Sequence, residues 1–211
     1  MQIAVIGSGS MGTGLVKVLA GAYESIIWAG RNPARIAQQI AEADLTGRVA
    51  AASHQEALAQ AEIIILALWH RDLPGFVAQY RSQLAGTTLV HIANPFNEAF
   101  SDFTTPWDRS AAEEFQALVP EAHVVGAFKT TWWVVFDQPQ FPEGLSDCYV
   151  TADDEEAKAR VMEALRPLPF RVLDGGALPN NRIIERMTLF ARELGRRYKH
   201  SPRISWRLLG Q

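Results

Sequence analysis

The chain has 211 residues, 48% of them hydrophobic and 20% charged, with a net charge of −3; that balance excludes wholesale disorder, and scattered glycines and prolines without a heptad exclude collagen-like and coiled-coil chains. A single cysteine, Cys148, excludes an internal disulfide framework and a cysteine-built zinc site. The longest apolar stretch, residues 63–69, is far short of the roughly 20 residues of a membrane helix, and no secretory pattern opens the chain, so a soluble, cytoplasmic protein in a reducing compartment is expected.

Short apolar runs alternate with helix-compatible segments, the rhythm of a parallel α/β sheet. Residues 3–6 read as a first strand. Residues 11–22 read as a helix with Leu15, Val18 and Leu19 on one face. Residues 25–29 form a second strand, and Asn32-Pro33 opens the next helix as N-cap and first position. A weak third strand spans 48–52, and Ser53 caps the short helix that follows. Residues 63–68 are a buried strand, 72–84 a helix and 88–93 a strand stopped by Asn94-Pro95. Residues 97–109 lack periodicity and read as a loop. A helix at 110–118 and a strand at 124–128 follow. Pro139, Pro142 and Gly144 make 137–147 a loop. Strand 148–151, helix 153–165, strand 170–173 and a closing helix at 183–198 complete the chain. The expected fold is α/β: a Rossmann-type, doubly wound, mostly parallel sheet over 1–130, with a small C-terminal α/β annex and long closing helix over 131–211.

The motif with chemical content is Gly7-Ser8-Gly9-Ser10-Met11-Gly12. As a bare pattern it is weak. Directly after a strand and opening a helix, it reads as a dinucleotide-binding turn. Gly7 permits the tight turn, Gly9 admits a pyrophosphate to the backbone, and Gly12 lets helix and strand pack closely. The helix N-terminus would offer free N–H groups and a favourable dipole to two phosphates. An NAD site places an acid about 20 residues later. Here that region reads Trp28-Ala29-Gly30-Arg31-Asn32-Pro33, with no acid and with a guanidinium. Arg31, helped by Arg35, fits a 2′-phosphate, so NADP is expected over NAD.

At this point the sequence resembles the small NADP-dependent oxidoreductases of the deazaflavin coenzyme F-420 type, and the STEAP metalloreductase cytosolic domain is similar in pattern. The resemblance rests on Ile6 to Gly12, Gly30 to Pro33, Ala93-Asn94-Pro95, Val124 to Phe128, Ala152 to Lys158, Asp174 to Leu178 and Asn181 to Thr188. It implies hydride transfer between NADP(H) and a deazaflavin or an ordinary flavin, FMN or FAD, in a homodimer. Cofactors carry such a step, so no triad or metal cluster is required. By position, Leu68, Trp69 and His70 would wrap the ribose and nicotinamide, with Asn94 and Pro95 at the carboxyl edge. Phe128, Lys129, Thr130, Trp132, Leu178 and Asn181 would form the second-substrate pocket. The chain departs from the resemblance at Trp69-His70, Lys129 and Trp132-Trp133, which leaves the second substrate open.

Individual residues keep alternatives. His70 is either an acid–base candidate or an imidazole packed beside the cofactor, and the second fits hydride chemistry better. Lys129 either anchors the second substrate, in which case Lys129→Met raises that substrate's KM alone, or bonds strand-end carbonyls. Trp132 and Trp133 either stack on a ring or seal a core. Asp153 to Glu156 read as a helix cap and first turn rather than a metal site, and Cys148 as inert packing. Residues 182–211 carry eight Lys or Arg against two acids, a local +6 that leaves −9 elsewhere. This is either a solvated face or an anion-binding surface, and the acidic bulk argues against nucleic acid. Ile183, Ile184, Met187, Leu189, Phe190 and Leu194 are candidates for a dimer face. Beside the oxidoreductase stand an NADPH-sensing protein without turnover and a reductase of an unknown small molecule. Arg31→Ala is expected to weaken NADPH binding at least about tenfold, the value of a lost charge-assisted pair, and NADH binding little; equal losses in titrations of the two would overturn the NADP assignment.

Overall fold

The computed structural model describes residues 1–210. In chain order the elements are β1 (Ile3–Ile6), α1 (Ser10–Ala22), β2 (Ile26–Ala29), α2 (Pro33–Glu42), β3 (Val49–Ala52), α3 (His54–Gln60), β4 (Ile63–Leu66), α4 (Leu73–Leu84), β5 (Thr88–His91), α5 (Ala111–Leu118) and β6 (His123–Gly126). Then follow α6 (Trp133–Asp137), β7 (Gln140–Phe141), β8 (Gly144–Leu145), β9 (Asp147–Ala152), α7 (Glu155–Leu165), β10 (Arg171–Asp174) and α8 (Asn181–Arg197).

Eight strands form one sheet in the order β10-β9-β6-β5-β4-β1-β2-β3. The stretch from β3 to β6 is parallel throughout and has the Rossmann order, with its switch point between β1 and β4. β9 joins β6 antiparallel and β10 joins β9 parallel. The C-terminal strands therefore extend the same sheet.

Side chains of a strand alternate between faces. Ile3 and Val5 face a core with Leu15, Leu19, Ile36, Val161 and Phe170, whereas Ala4 and Ile6 face one with Leu58, Phe76, Val77 and Phe115. Each central strand is buried on both faces, which explains its unbroken apolar run. Ser53 and Ser110 close capping boxes with Glu56 and Glu113, and Asn32 caps α2 by accepting from the Arg35 N–H at 3.2 Å. Asp154 caps α7 through the Ala157 N–H at 2.8 Å. Cys148 is buried in β9, and burial pushes its thiol up to about 12. Among the described residues no helix is long and apolar enough to cross a membrane.

One expectation needs correction, and one element was not anticipated. The loop at 137–147 contains the small hairpin β7-β8. A short helix, α6, occupies 133–137, where the run Trp-Trp-Val-Val-Phe has strand-like propensity. It is helical because Phe136 packs on the bare backbone of Gly14: a Cβ on Gly14 would lie 2.8 Å from the ring. Tertiary packing overrides local preference there.

The glycine turn is tested by two substitutions with opposite outcomes. A Cβ on Gly12 would sit 2.1 Å from the Gly7 carbonyl oxygen, a backbone atom that cannot yield, whereas a Cβ on Gly9 meets nothing within 4 Å. Gly12→Ala is expected to cost about 3 kcal/mol or more by overpacking, and Gly9→Ala no more than about 1 kcal/mol, the difference at an N-cap. Urea denaturation of the two variants reads the contrast.

Candidate functional site

The carboxyl ends of β1, β4, β5 and β6 converge on one crevice, where open parallel sheets bind ligands. After β1, Gly7 turns the chain with φ +123°, a conformation open mainly to glycine. A Cβ there would lie 2.3 Å from the Ala67 carbonyl oxygen. Trp28, buried on β2, donates its indole N–H to the Gly7 carbonyl at 2.9 Å. The turn is thus held from both neighbouring strands. Gly9 is the N-cap of α1, no side chain caps that end, and its first turn holds no acid. Its free N–H groups form a cradle able to hold an anionic diphosphate.

At the end of β2, Gly30 is buried against Ile36, while Arg31, Asn32 and Arg35 are exposed. Arg31 and Arg35 form no ion pair with any described residue, so both guanidinium groups could meet a phosphate. Burial, and then the Arg31 charge, hold His54 below its usual range.

A cavity of about 510 Å³ adjoins the glycine turn. Gly9, Ser10 and Met11 line one end. Leu68 and Trp69 come from the loop after β4, Asn94 from the loop after β5, and Thr131 to Trp133 from the loop after β6. An aromatic wall runs along it. Trp69 meets Phe100 edge-on with centroids at 5.8 Å, Phe100 meets Phe96 at 5.3 Å, Phe96 meets Trp132 at 6.2 Å, and Trp132 meets Trp133 at 6.1 Å. The Asn94 amide donates to the Lys129 carbonyl at 2.7 Å, leaving Asn94 Oδ1 without a partner. Thr131 Oγ1 and Trp132 Nε1 also lack partners. Three polar atoms are therefore unsatisfied on residues that line the cavity, and buried polar atoms are nearly always satisfied.

Behind the cavity lies a sealed polar network. Lys129 is 1% exposed. Its ammonium donates to the Ala93 carbonyl at 2.5 Å, to His91 Nδ1 at 2.7 Å and to Glu185 Oε1 at 3.0 Å. Glu185 also accepts the Ala111 and Ala112 N–H groups at 2.9 and 3.2 Å, which open the helix α5. Burial pulls Lys129 below its ordinary range, opposed by Glu185. Burial, aided by the Lys129 charge, drives His91 far down, so it stays neutral and stacks on Phe115. His70 is half-buried and bonds Glu114 through Nε2 at 3.1 Å; burial lowers it against the pull of that carboxylate.

The residues predicted for the second-substrate pocket divide accordingly. Trp132 lines the cavity. Phe128, Lys129 and Thr130 are buried away from it: Phe128 packs on Phe136 and Phe170 in the core, and Lys129 points into the network. Leu178 and Asn181 are also buried elsewhere. Leu178 borders an acidic cleft with Glu113, Asp153 and Asp154, and the Asn181 amide donates to Thr151 Oγ1 at 2.6 Å. Among the predicted cofactor residues, Gly9, Ser10, Met11, Leu68, Trp69 and Asn94 line the cavity, while Gly7, Ser8 and Gly12 shape the turn beside it. His70 and Pro95 stand just outside. Thr188 and Arg192 of α8, with Ser201 and Pro202, supply the C-terminal wall. They were missed because the charged Glu185 breaks the apolar stripe on the inner face of α8. The spacing 185, 188, 192 is the signal that could have found them.

This arrangement defines the protein as a Rossmann-type oxidoreductase of the NADP-dependent class. Residues 2–95 match the family described as NADP oxidoreductase, coenzyme F420-dependent. An F420-dependent NADP reductase of Methanocaldococcus jannaschii is 30% identical over 94% of this chain and 94% of its own. The chain belongs to that family. The metalloreductase STEAP3 of Rattus norvegicus is also 30% identical over 89% of this chain, which spans 36% of that longer protein. A crystal structure from Arthrobacter sp. FB24, assigned as an F420-dependent NADP reductase, superposes with TM-score 0.81 at 25% identity, over 93% of this chain and 94% of that one.

Removing one partner of a buried ion pair strands the other charge at a cost of about 3–5 kcal/mol. Lys129→Met is therefore expected to lower unfolding free energy by that amount and to leave the KM of a second substrate unchanged in the folded enzyme. Urea denaturation beside steady-state kinetics checks this; a raised KM at unaltered stability would return Lys129 to the substrate pocket.

Proposed function

We propose that the protein moves a hydride between NADP(H) and a flat deazaflavin or flavin-type acceptor. One observation carries the reading: a single cavity runs from the glycine turn to an aromatic wall, where a nicotinamide reaching in from the turn would lie against a flat acceptor ring. When bound, the nicotinamide and the acceptor ring supply the redox chemistry themselves. The chain's own part is binding, orientation and exclusion of water. The α1 N-terminus and Gly9 hold the diphosphate, and Arg31 and Arg35 the 2′-phosphate. Leu68 and Trp69 cover the ribose. Asn94, pinned through its amide to the Lys129 carbonyl, holds the edge of the cavity in place, and Phe96 and Trp132 wall it against water. Residues 1–130 serve the dinucleotide and 131–211 the acceptor. A cytoplasmic setting and a homodimer complete the reading. Ile183 and Phe190 supply exposed apolar area on α8, whereas Ile184 packs inward.

Calorimetric titration tests this. NADPH is expected to bind at least about tenfold more tightly than NADH, the value of the phosphate's charge-assisted bonds. The deazaflavin or FMN, added next, is expected to bind and to oxidise NADPH, and sedimentation of the same sample should give twice the chain mass. Tight NADPH binding without turnover on any acceptor would overturn the enzyme reading in favour of a sensor.

A further inference from the structure

Arg192 is the one ionisable side chain among the described residues lining the cavity. Five of the other arginines of the C-terminal segment are engaged, and Arg196, without a partner, is exposed to solvent in the last turn of α8. Arg182 grips the Glu113 carboxylate at 2.9 Å. Arg186 lies over the Trp107 ring at 4.3 Å. Arg197 bonds Glu193, and Arg203 and Arg207 bond backbone carbonyls of the 138–145 segment. Arg192 is half-buried and makes no hydrogen bond, ion pair or aromatic contact with any described residue.

Its position is fixed. Glu185, Thr188 and Arg192 lie on one face of α8 at helical spacing. Glu185 is tied to Lys129, and the Thr188 hydroxyl donates to the Lys129 carbonyl at 2.5 Å. One turn further on, α8 brings Arg192 to the aromatic wall. A guanidinium in largely apolar surroundings is costly to leave without a counter-ion, and no acid of the cavity supplies one. The wall selects a flat ring by stacking. The guanidinium selects an oxyanion by paired hydrogen bonds.

We propose that Arg192 is a specificity residue for the second substrate, selecting an acceptor whose planar ring carries an acidic group, a phosphate or a carboxylate. This rests on the reading that the cavity receives a hydride acceptor. The other source of the same chemistry is the dinucleotide's own diphosphate, since Gly9 and Ser10 share the cavity.

FMN and riboflavin share one ring and differ by a phosphate, so they are the probes. Each is titrated by flavin fluorescence into the protein saturated with NADP+, using the wild type, Arg192→Met and Arg192→Lys. NADP+ itself is titrated separately. The wild type is expected to bind FMN about 10- to 100-fold more tightly than riboflavin, the range of a charge-assisted bond. Arg192→Met should shrink that ratio to about twofold or less, Arg192→Lys should retain part of it, and the NADP+ dissociation constant should not move. Equal binding of the two flavins by the wild type, or binding of neither, would overturn the proposal. So would a loss of NADP+ affinity in Arg192→Met matching the loss for FMN, which would assign the guanidinium to the dinucleotide. Failure of the wild type to bind NADP+ would instead sink the oxidoreductase reading, whatever the flavins do.

Discussion

The buried ion pair between Lys129 and Glu185 is the contact on which the geometry of the cavity depends. It joins four elements: the ends of β5 and β6, the N-terminus of α5, and α8. A pair sealed from water is costly unless its remaining hydrogen-bonding capacity is filled. Here the ammonium finds the Ala93 carbonyl and His91, and the carboxylate finds two helix N–H groups whose dipole favours negative charge. The satisfied pair fixes the rotation and register of α8. Thr188, one turn on, then bonds the Lys129 carbonyl and Arg192 reaches the cavity.

The glycine turn is built by a different force. Steric closeness sets it: Gly7 lies under the Ala67 carbonyl, Gly12 under the Gly7 carbonyl, and Trp28 anchors that same carbonyl from below. Behind Gly14, Phe136 of α6 packs on the helix that the turn opens. One end of the cavity is therefore set by backbone contact and the other by charge.

The parts legible in the sequence are those fixed by local rules. Apolar runs marked the central strands, Asn32 and Ser53 announced their helices, and the glycine spacing marked the turn together with the strand that precedes it. The parts that were not legible are set by distant partners. Lys129 follows a strand at the carboxyl edge, where a cation reads as a ligand anchor. Only its burial beside Glu185, 56 residues away, reveals a structural ion. Leu178 and Asn181 lie in a glycine-flanked stretch that looks exposed, yet both are buried. Arg192 sits among eight basic residues, and beyond its helical spacing from Glu185 and Thr188 it is the half-buried place on the cavity, which only the fold reveals, that separates it from the solvated Arg196 and Lys199 and from the arginines held by Glu113, Glu193 or a carbonyl.

This division bears on the chemistry. On the proposed reading a hydride would move between rings without a proton donor; His91 and Glu185 are both held by Lys129 behind the cavity, and His70, just outside it, bonds Glu114. What lines the cavity is largely aromatic and aliphatic surface with a few hydroxyls and amides and one guanidinium. Such a surface discriminates by shape and by charge at a single point. The aromatic wall accepts many flat rings with similar energy, because stacking is tolerant of ring chemistry. Selectivity then falls to the directional groups, and among these only Arg192 carries a charge. Its lack of a protein counter-ion follows from the same arrangement: α8 is oriented by its one inward-facing carboxylate, Glu185, which the network consumes, so none is left to neutralise the guanidinium one turn beyond Thr188.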